Sequence, residues 1–238
     1  MAEFIEEGSY VATSETDEPR SALTREEAND CLHRVEASEW HNEACQELNV
    51  SYKNLTDVSV ISSHFKDVCG VNVSGNKLTS EALRVLETMP KLEVLQADQN
   101  CLTSAELKPM KFLKKLTLNM NELTYAGTSV ISHESLKYLE LNYNLISTVA
   151  FEAEKLPNLT LLELCDNALT TTAENPFLRN IEQEEEGRKY RRIVLMMLPR
   201  LRRIDKELVL DQERNEANEL LERMQNEGYG FTDFDLED

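Results

Sequence analysis

The feature that most constrains the fold is a spacing of leucine and asparagine that recurs five times along the chain. Each occurrence fits the pattern Leu-x-x-Leu-x-Leu-x-x-Asn-x-Leu, with other aliphatic residues at some leucine positions. Successive asparagines lie 24, 21, 23 and 23 residues apart, and a period of about 20–29 residues is typical of solenoids built from one coil per repeat. The five segments are 68–78, 92–102, 113–123, 136–146 and 159–169, with Asn76, Asn100, Asn121, Asn144 and Asn167 as their asparagines.

A sixth, weaker segment precedes these five, at residues 45–55. It keeps the aliphatic positions Leu48, Val50 and Leu55, but Lys53 stands where the asparagine is expected. The pattern resembles that of leucine-rich repeat proteins. It therefore predicts an α/β solenoid of about six repeats, with short parallel strands on its concave face.

Within each repeat the pattern assigns a role to the leucines and to the asparagine. Alternating leucines such as Leu139 and Leu141 point to the same side of a strand and into a shared core. The asparagine turns the chain out of the strand, and its buried amide is expected to satisfy backbone groups of its own turn and of the next coil. The alternative is an ordinary turn residue at the surface.

Both ends of a solenoid need a cap over the apolar face of the terminal coil. At the N-terminus, Thr24 as a helix N-cap followed by two glutamates predicts a capping helix over residues 23–35. Its apolar positions are Ala28, Cys31, Leu32 and Val35. At the C-terminus the sequence resembles the cap of short intracellular leucine-rich repeat proteins, in Asn175-Pro176, Tyr190-Arg191, Ile193 to Leu198, Pro199, Leu201, Ile204 and Asp205.

Three regions follow from this organisation. Residues 1–21 are predicted to be a disordered acidic N-terminus, and residues 22–205 the repeat domain with its two caps. Residues 206–238 are predicted to form a charged helix that projects from the solenoid, followed by an acidic tail. The helix has few apolar positions, so we expect a partner to order it.

The charge of the chain is concentrated at its ends. Of the total of −19, residues 1–47 carry −10 and residues 206–238 carry −8, which leaves −1 for residues 48–205. Acidic ends repel nucleic acid and anionic membrane surfaces, so we expect protein partners and neither of those ligands. The first residues lack the basic flank and apolar core of a secretory signal, so we expect an intracellular protein whose five cysteines are reduced.

The residue patterns predict no catalytic chemistry. There is no Cys-x-x-Cys pair, and the four histidines are scattered without metal-ligand spacing. We therefore predict a protein that is not an enzyme, with no metal, no cofactor and no small-molecule substrate. A surface that binds other proteins is the functional feature that the sequence still predicts.

The repeat register predicts which side chains form that surface. Positions between and just after the strand leucines face the concave side, and in the last repeats they combine aromatic and charged residues, as binding sites often do. The predicted partner-binding residues are Lys115, Met120, Tyr138, Glu140, Asn142, Tyr143, Leu161 and Glu163. The alternative is that one or both tyrosines simply pack against a cap.

The two ends of the chain resemble one family in particular. The segments "LTREEANDCLHRV" and "LNVSYKNLTDVSVISSHFKDVCGVNVSGNKLT" resemble the N-terminal cap and first repeats of the leucine-rich repeat-containing protein 23 family, radial spoke proteins of cilia and flagella. The segment "LPRLRRIDKELVLDQERNEANELLERMQNE" resembles that family's C-terminal strand and charged helix. Its least generic residues are Asp205-Lys206-Glu207 and Glu213-Arg214-x-Glu216-Ala217. The resemblance covers roughly residues 22–226.

This resemblance implies a non-catalytic structural subunit of the axonemal radial spokes. It implies a place in the third spoke of axonemes that carry three. Its partners would be other radial spoke or axonemal proteins, held through the concave face and the C-terminal helix. The implied location is the cytoskeleton of the cytoplasm, in the axoneme of a cilium or flagellum. The alternative is a leucine-rich repeat regulatory subunit of a protein phosphatase or of an axonemal dynein heavy chain, because such subunits share the C-terminal cap.

Overall fold

Each repeat contributes one short strand to a common sheet. The structure is a computed structural model that describes residues 20–124, 130–147, 151–169 and 186–228. Its nine-stranded sheet has the order β11-β10-β9-β8-β7-β6-β5-β3-β2. All pairs from β3 to β10 are parallel, and the outermost strand at each end is antiparallel to its neighbour. This is the leucine-rich repeat fold.

The elements are short. The strands are β1 Arg20–Ala22, β2 Leu32–Val35, β3 Cys45–Asn49, β4 Leu55–Asp57, β5 Gly70–Asn72, β6 Val94–Gln96, β7 Lys115–Thr117, β8 Tyr138–Glu140, β9 Leu161–Glu163, β10 Arg203–Ile204 and β11 Glu207–Leu208. The helices are α1 Arg25–Asp30, α2 Ser59–His64, α3 Ser80–Leu83, a 3-10 helix Arg84–Thr88, α4 Glu186–Met197 and α5 Asp211–Asn226. None of these helices combines the length and hydrophobicity that a bilayer span requires.

The core is a row of aliphatic side chains that are stacked from coil to coil. The strand register sets one residue of each strand beside its equivalent in the next, and each of these residues is at most 2% exposed. Because burial of one such side chain contributes about 1.5–3 kcal/mol, the stack is the main source of stability. The row is Leu48, Val71, Leu95, Leu116, Leu139, Leu162 and Ile204.

The repeat asparagines form a second ladder beside the core. The Oδ1 atom of Asn144 accepts a hydrogen bond from Leu123 N at 3.1 Å, and its Nδ2 atom donates to Leu118 O at 3.0 Å and Leu141 O at 2.9 Å. The asparagine thus serves its own turn and the preceding coil, whereas the sequence analysis assigned it to the next coil. Asn76, Asn100, Asn121 and Asn167 repeat this arrangement.

The N-terminal cap differs from the predicted capping helix. Thr24 does cap α1, because its side chain accepts from Glu27 N and the Glu27 side chain accepts from Thr24 N. The helix ends at Asp30, however, and residues 32–35 form strand β2. The prediction of helix over residues 31–35 was wrong, because antiparallel pairing with β3 gives backbone partners to the first strand of the solenoid. The predicted disordered segment 1–21 lies outside the described residues except for Arg20 and Ser21, which belong to β1.

The C-terminal helix does not project. Helix α5 packs on α4, and its residues Ala217, Leu220 and Met224 are at most 6% exposed and join the core. The prediction of a projecting helix was wrong. Ala217 acts as an apolar residue where the two helices are in close contact. With Leu220 and Met224, at spacings of three and four residues, it forms a buried stripe. The predicted Asn175-Pro176 and residues 229–238 lie outside the described residues.

One buried arginine fastens this end together. Arg191 of α4 is 7% exposed. It donates to Ile204 O of β10 at 2.9 Å and to the carboxylate of Glu213 in α5 at 2.7 Å. The arginine of the Tyr-Arg pair in the cap sequence therefore joins both helices to β10.

Two cysteines form a disulfide, so the prediction of five reduced cysteines was wrong. Cys45 at the start of β3 is bonded to Cys69, which lies just before β5. The two lie 24 residues apart, about one repeat, so adjacent coils bring their Cα atoms to 6.3 Å, within the range that a disulfide spans. Cys31, Cys101 and Cys165 are free.

Candidate protein-interaction surface

The eight predicted partner-binding residues fall into three groups in the folded chain. Asn142, Leu161 and Glu163 are each 8% exposed. Asn142 Nδ2 donates to Glu163 Oε2 at 2.8 Å, and Leu161 lies between Tyr138 and Arg203 in the strand register. These three residues therefore support the sheet face and offer little area to a partner.

The second group is occupied by contacts within the chain. Lys115 and Glu140 form an ion pair at 3.0 Å. The Tyr138 ring packs edge-on against Trp40, with the ring centroids 4.2 Å apart, and Lys115 Nζ lies 5.1 Å from the centroid of the Trp40 ring. A tryptophan from the N-terminal end thus covers part of the predicted surface.

Trp40 belongs to the loop of the β2–β3 hairpin, residues 36–44, which we call the hairpin loop. This loop crosses the N-terminal ends of several strands. Lys114 Nζ, next to β7, donates to Trp40 O at 2.9 Å and to Asn42 Oδ1 at 2.9 Å, and Tyr138 OH of β8 donates to Glu39 Oε2 at 3.4 Å. Tyr138 therefore packs against the hairpin loop at the N-terminal end of the solenoid.

The third group, Met120 and Tyr143, lies at the opposite ends of the strands and is exposed, at 50% and 53%. Both have a positive φ, 54° and 55°, and both lie three residues after a strand and just before a repeat asparagine. The equivalent residue of every coil shares this left-handed conformation. The row, which we call the turn ridge, is Tyr52, Gly75, Gln99, Met120, Tyr143 and Asp166.

The turn ridge is held firmly by the backbone. The N–H groups of the first five ridge residues, Tyr52 to Tyr143, each donate to a carbonyl of the next coil, for example Met120 N to Asn142 O and Tyr143 N to Cys165 O, both at 2.9 Å. A side chain in this conformation costs about 1 kcal/mol or more compared with glycine. Gly75 shows that glycine fits here, so tyrosine and methionine at these positions are not explained by the needs of the turn.

Sequence reasoning missed Tyr52, which is 72% exposed and the most open aromatic of the ridge. Its ring lies over Gly75, where a Cβ atom would collide with it, and its hydroxyl donates to Gln99 Oε1 at 3.3 Å. The signal was available: Tyr52 stands in the weak first repeat at the same position as Tyr143 in the fifth. It was overlooked because Lys53 replaces the asparagine that marks this position.

Burial and hydrogen bonds shift the pKa values of several ionisable groups on this face. The hydrogen bond to Asp166 raises the pKa of Tyr143 above its usual value, so its hydroxyl remains a donor at neutral pH. Burial raises the pKa of Cys165 to about 11, and a thiol that stays protonated is a poor nucleophile. Burial also raises the pKa of Asp98, which accepts hydrogen bonds from Thr117 and Asn119.

Comparison with known proteins agrees with the repeat and with the resemblance. Leucine-rich repeat-containing protein 23 of Bos taurus is 35% identical to this chain over 118 residues, and its Homo sapiens counterpart is 34% identical over 118 residues. Half of this chain is similar to leucine-rich repeat-containing protein 23. The match covers 49% of this chain but 33% of each relative, so it spans about a third of the relatives' length. The resemblance stated from the sequence is confirmed to this extent.

No protein-family model matches the chain. Among solved structures, a chain of the Drosophila melanogaster SNF/U2A' complex aligns with a TM-score of 0.44 and 16% identity, over 87% of this chain and 98% of that chain.

Proposed function

We propose that this protein is a non-catalytic scaffold subunit of the ciliary or flagellar axoneme, in a radial spoke, and that it binds neighbouring axonemal proteins through the turn ridge. The observation that carries the binding role is the row of large exposed side chains in left-handed backbone. The leucine-rich repeat fold and the similarity to leucine-rich repeat-containing protein 23 support a protein–protein interaction role. The placement in the axoneme extends the resemblance carried by the two ends of the chain.

The energetics of the ridge favour an interface. A tyrosine buries about 150–250 Å² when fully covered, so the exposed half of Tyr143 offers about 100 Å². At about 25 cal/mol per Å², its burial by a partner is worth about 2–3 kcal/mol. The side chain starts from a rigid turn, so little further ordering is needed on binding. Tyr52 and Met120 add similar area along the same line.

A second contact is available at the C-terminal end. Leu208 and Leu210 are 68% and 62% exposed and flank the start of α5. The predicted attachment through the C-terminal helix is therefore retained as a proposal, with one change. The helix is ordered by the solenoid itself, and its exposed side with these leucines would meet the partner as a preformed surface.

The test is to express the tagged full chain in a flagellated cell that lacks its own copy. We expect it along the flagellum, in the fraction that resists detergent, and chemical crosslinking should join it to radial spoke proteins. Recovery with a phosphatase catalytic subunit or a dynein heavy chain would favour the alternative regulatory roles. A protein that stays in the cell body and is fully extracted by detergent would contradict the axonemal proposal.

A further inference from the structure

A cluster of potential metal ligands lies beneath the hairpin loop, away from the turn ridge. His41, Cys45 and Cys69 bring one ligand atom each to within 4.8 Å of one another. His41 is 4% exposed and Cys69 is 5% exposed. The histidines show no metal-ligand spacing in the sequence, and this grouping arises only in the folded chain. It was missed because Cys69 comes from the next coil, and only His41 and Cys45 are close in sequence.

The surroundings of His41 are unusually rich in negative charge. Its Nε2 atom lies 2.7 Å from Glu47 Oε1, and its Nδ1 atom lies 3.2 Å from Glu93 Oε2. A neutral imidazole has one N–H group and can donate to only one of these carboxylates. The ring nitrogen without a proton has a free lone pair that can bind a metal ion. Other basic groups at these carboxylates are Lys114, 3.3 Å from Glu93, and His33, 3.2 Å from Glu47.

The backbone leaves room for this arrangement. A Cβ atom at Gly70, the residue after Cys69, would lie 2.5 Å from Glu47 Oε1 and 2.7 Å from its Cγ atom. A side chain at position 70 would push the Glu47 carboxylate out of its place. Glycine at the start of β5 thus allows the Glu47 carboxylate to lie across the strand, next to the His41 imidazole.

We propose that, when Cys45 and Cys69 are reduced, this cluster binds one zinc ion, and that the disulfide is the metal-free state of the same site. Two thiolates and one imidazole are donors that favour tetrahedral zinc, with the fourth position open to a water molecule. The ring nitrogen of His41 that does not bind the metal would keep its carboxylate partner, Glu47 or Glu93. Such a hydrogen bond is usual for metal-bound histidine.

The interconversion balances in atoms and electrons. A dithiol reductant transfers two electrons and two protons to the Cys45–Cys69 bond, forming two thiols and the oxidised cyclic disulfide. Zinc then displaces the two thiol protons and is bound by the two thiolates. For oxidation, a low-molecular-weight disulfide accepts two electrons from the zinc thiolates by thiol–disulfide exchange. Its S–S bond breaks to give two free thiolates, the Cys45–Cys69 bond re-forms and the zinc ion is released.

The disulfide state and the zinc-bound state would fasten the hairpin loop in different ways. The disulfide ties β3 to β5 but leaves His41 to its hydrogen bonds. Zinc would add a bond from the two cysteines to His41 of the loop. The loop also holds Trp40 against Tyr138 of β8, so the redox state of the site would control how firmly Trp40 covers this part of the sheet.

The test is a titration of the reduced full chain with cobalt(II), whose thiolate complexes give a sulfur-to-metal charge-transfer band. We expect saturation at one cobalt per chain, loss of the band on addition of zinc, and no band for the oxidised protein. Cys45→Ser, Cys69→Ser and His41→Gln should each weaken binding by at least about 10–100-fold, the effect that the loss of even an outer-shell partner has. The matched control is Cys101→Ser, an exposed free cysteine, which should bind like wild type.

Several results would overturn the proposal. The first of these results needs no variant. Absence of the charge-transfer band in the reduced wild-type protein would show that the cysteines form only a structural disulfide. Equal loss of binding in Cys101→Ser would place the metal elsewhere. His41→Gln retains both cysteines and can be checked for an unchanged fold in its oxidised form, so wild-type affinity in that variant would exclude histidine as a ligand.

Discussion

The asparagine ladder makes a quantitative prediction for Asn144→Ala. The substitution removes the acceptor for Leu123 N and the donor for Leu118 O and Leu141 O. The two carbonyls keep another partner each, because Asn121 Nδ2 donates to Leu118 O and Asn167 Nδ2 to Leu141 O. The main cost is therefore one stranded, buried N–H group.

A stranded donor costs about 1–3 kcal/mol, and the weakened carbonyl bonds add about 1 kcal/mol. We expect Asn144→Ala to lower the free energy of unfolding by about 2–4 kcal/mol, measured by urea denaturation followed by circular dichroism. The matched control is Asn158→Ala. Asn158 is exposed and donates to Glu134 O at 2.8 Å, so water replaces its bond and the loss should stay within about 0.5–1 kcal/mol. Equal midpoints and equal slopes for the two variants would refute the ladder as a source of stability.

Two further predictions test the C-terminal packing and a buried histidine. Leu220→Ala should lower the unfolding free energy by about 2–5 kcal/mol, whereas Leu210→Ala, which is exposed, should change it by less than about 0.5 kcal/mol; equal small effects would mean that α5 is detached. Burial lowers the pKa of His133 from 6.5 to about 4, so the unfolded state binds a proton that the folded state does not, and stability is lost as the pH falls from 6.5 to 4. As the pH falls through this window, the unfolding free energy of wild type relative to His133→Leu should therefore decrease by about 1.4 kcal/mol per pH unit, to a total of about 3 kcal/mol. A difference that stays constant with pH would show that His133 is not buried in its neutral form.

The sequence could predict those parts of the fold that repeat. Leu139 and its equivalents recur at a fixed register, so a single chain reports the strands, the core row and the asparagine ladder. The cap motif places Arg191 and Ile204 in one unit for the same reason, since a terminal coil must be covered. What repeats in the sequence repeats in the structure because every coil has the same packing problem to solve.

Single contacts between distant parts of the chain carry no such signal. Glu39 and Tyr138 are 99 residues apart, and nothing in the local pattern of either shows that the hairpin loop reaches β8. Packing of α5 depends on Ala217 as well as on Leu220 and Met224, and a count of large apolar residues leaves the alanine out. Met120 and Tyr143 are exposed, as the repeat register predicts, but the burial of Leu161 and Glu163 depends on neighbours that only the folded chain brings together.

The central claim is that the turn ridge attaches this scaffold to its axonemal neighbours, and one measurement tests it most directly. The protein carrying Met120→Gly and Tyr143→Gly is expressed in a flagellated cell without its own copy, and the fraction that resists detergent is compared with wild type. Glycine relieves the left-handed backbone, so the variant should fold at least as stably. Loss of about 2–3 kcal/mol at Tyr143 alone corresponds to a fall in affinity of about 30–150-fold.

The control is Phe112→Ala, which removes an aromatic side chain that is 41% exposed and outside the ridge. The account predicts that wild type and Phe112→Ala remain in the detergent-resistant axoneme and that the double glycine variant is extracted. Retention of a folded double variant at the wild-type level would contradict it.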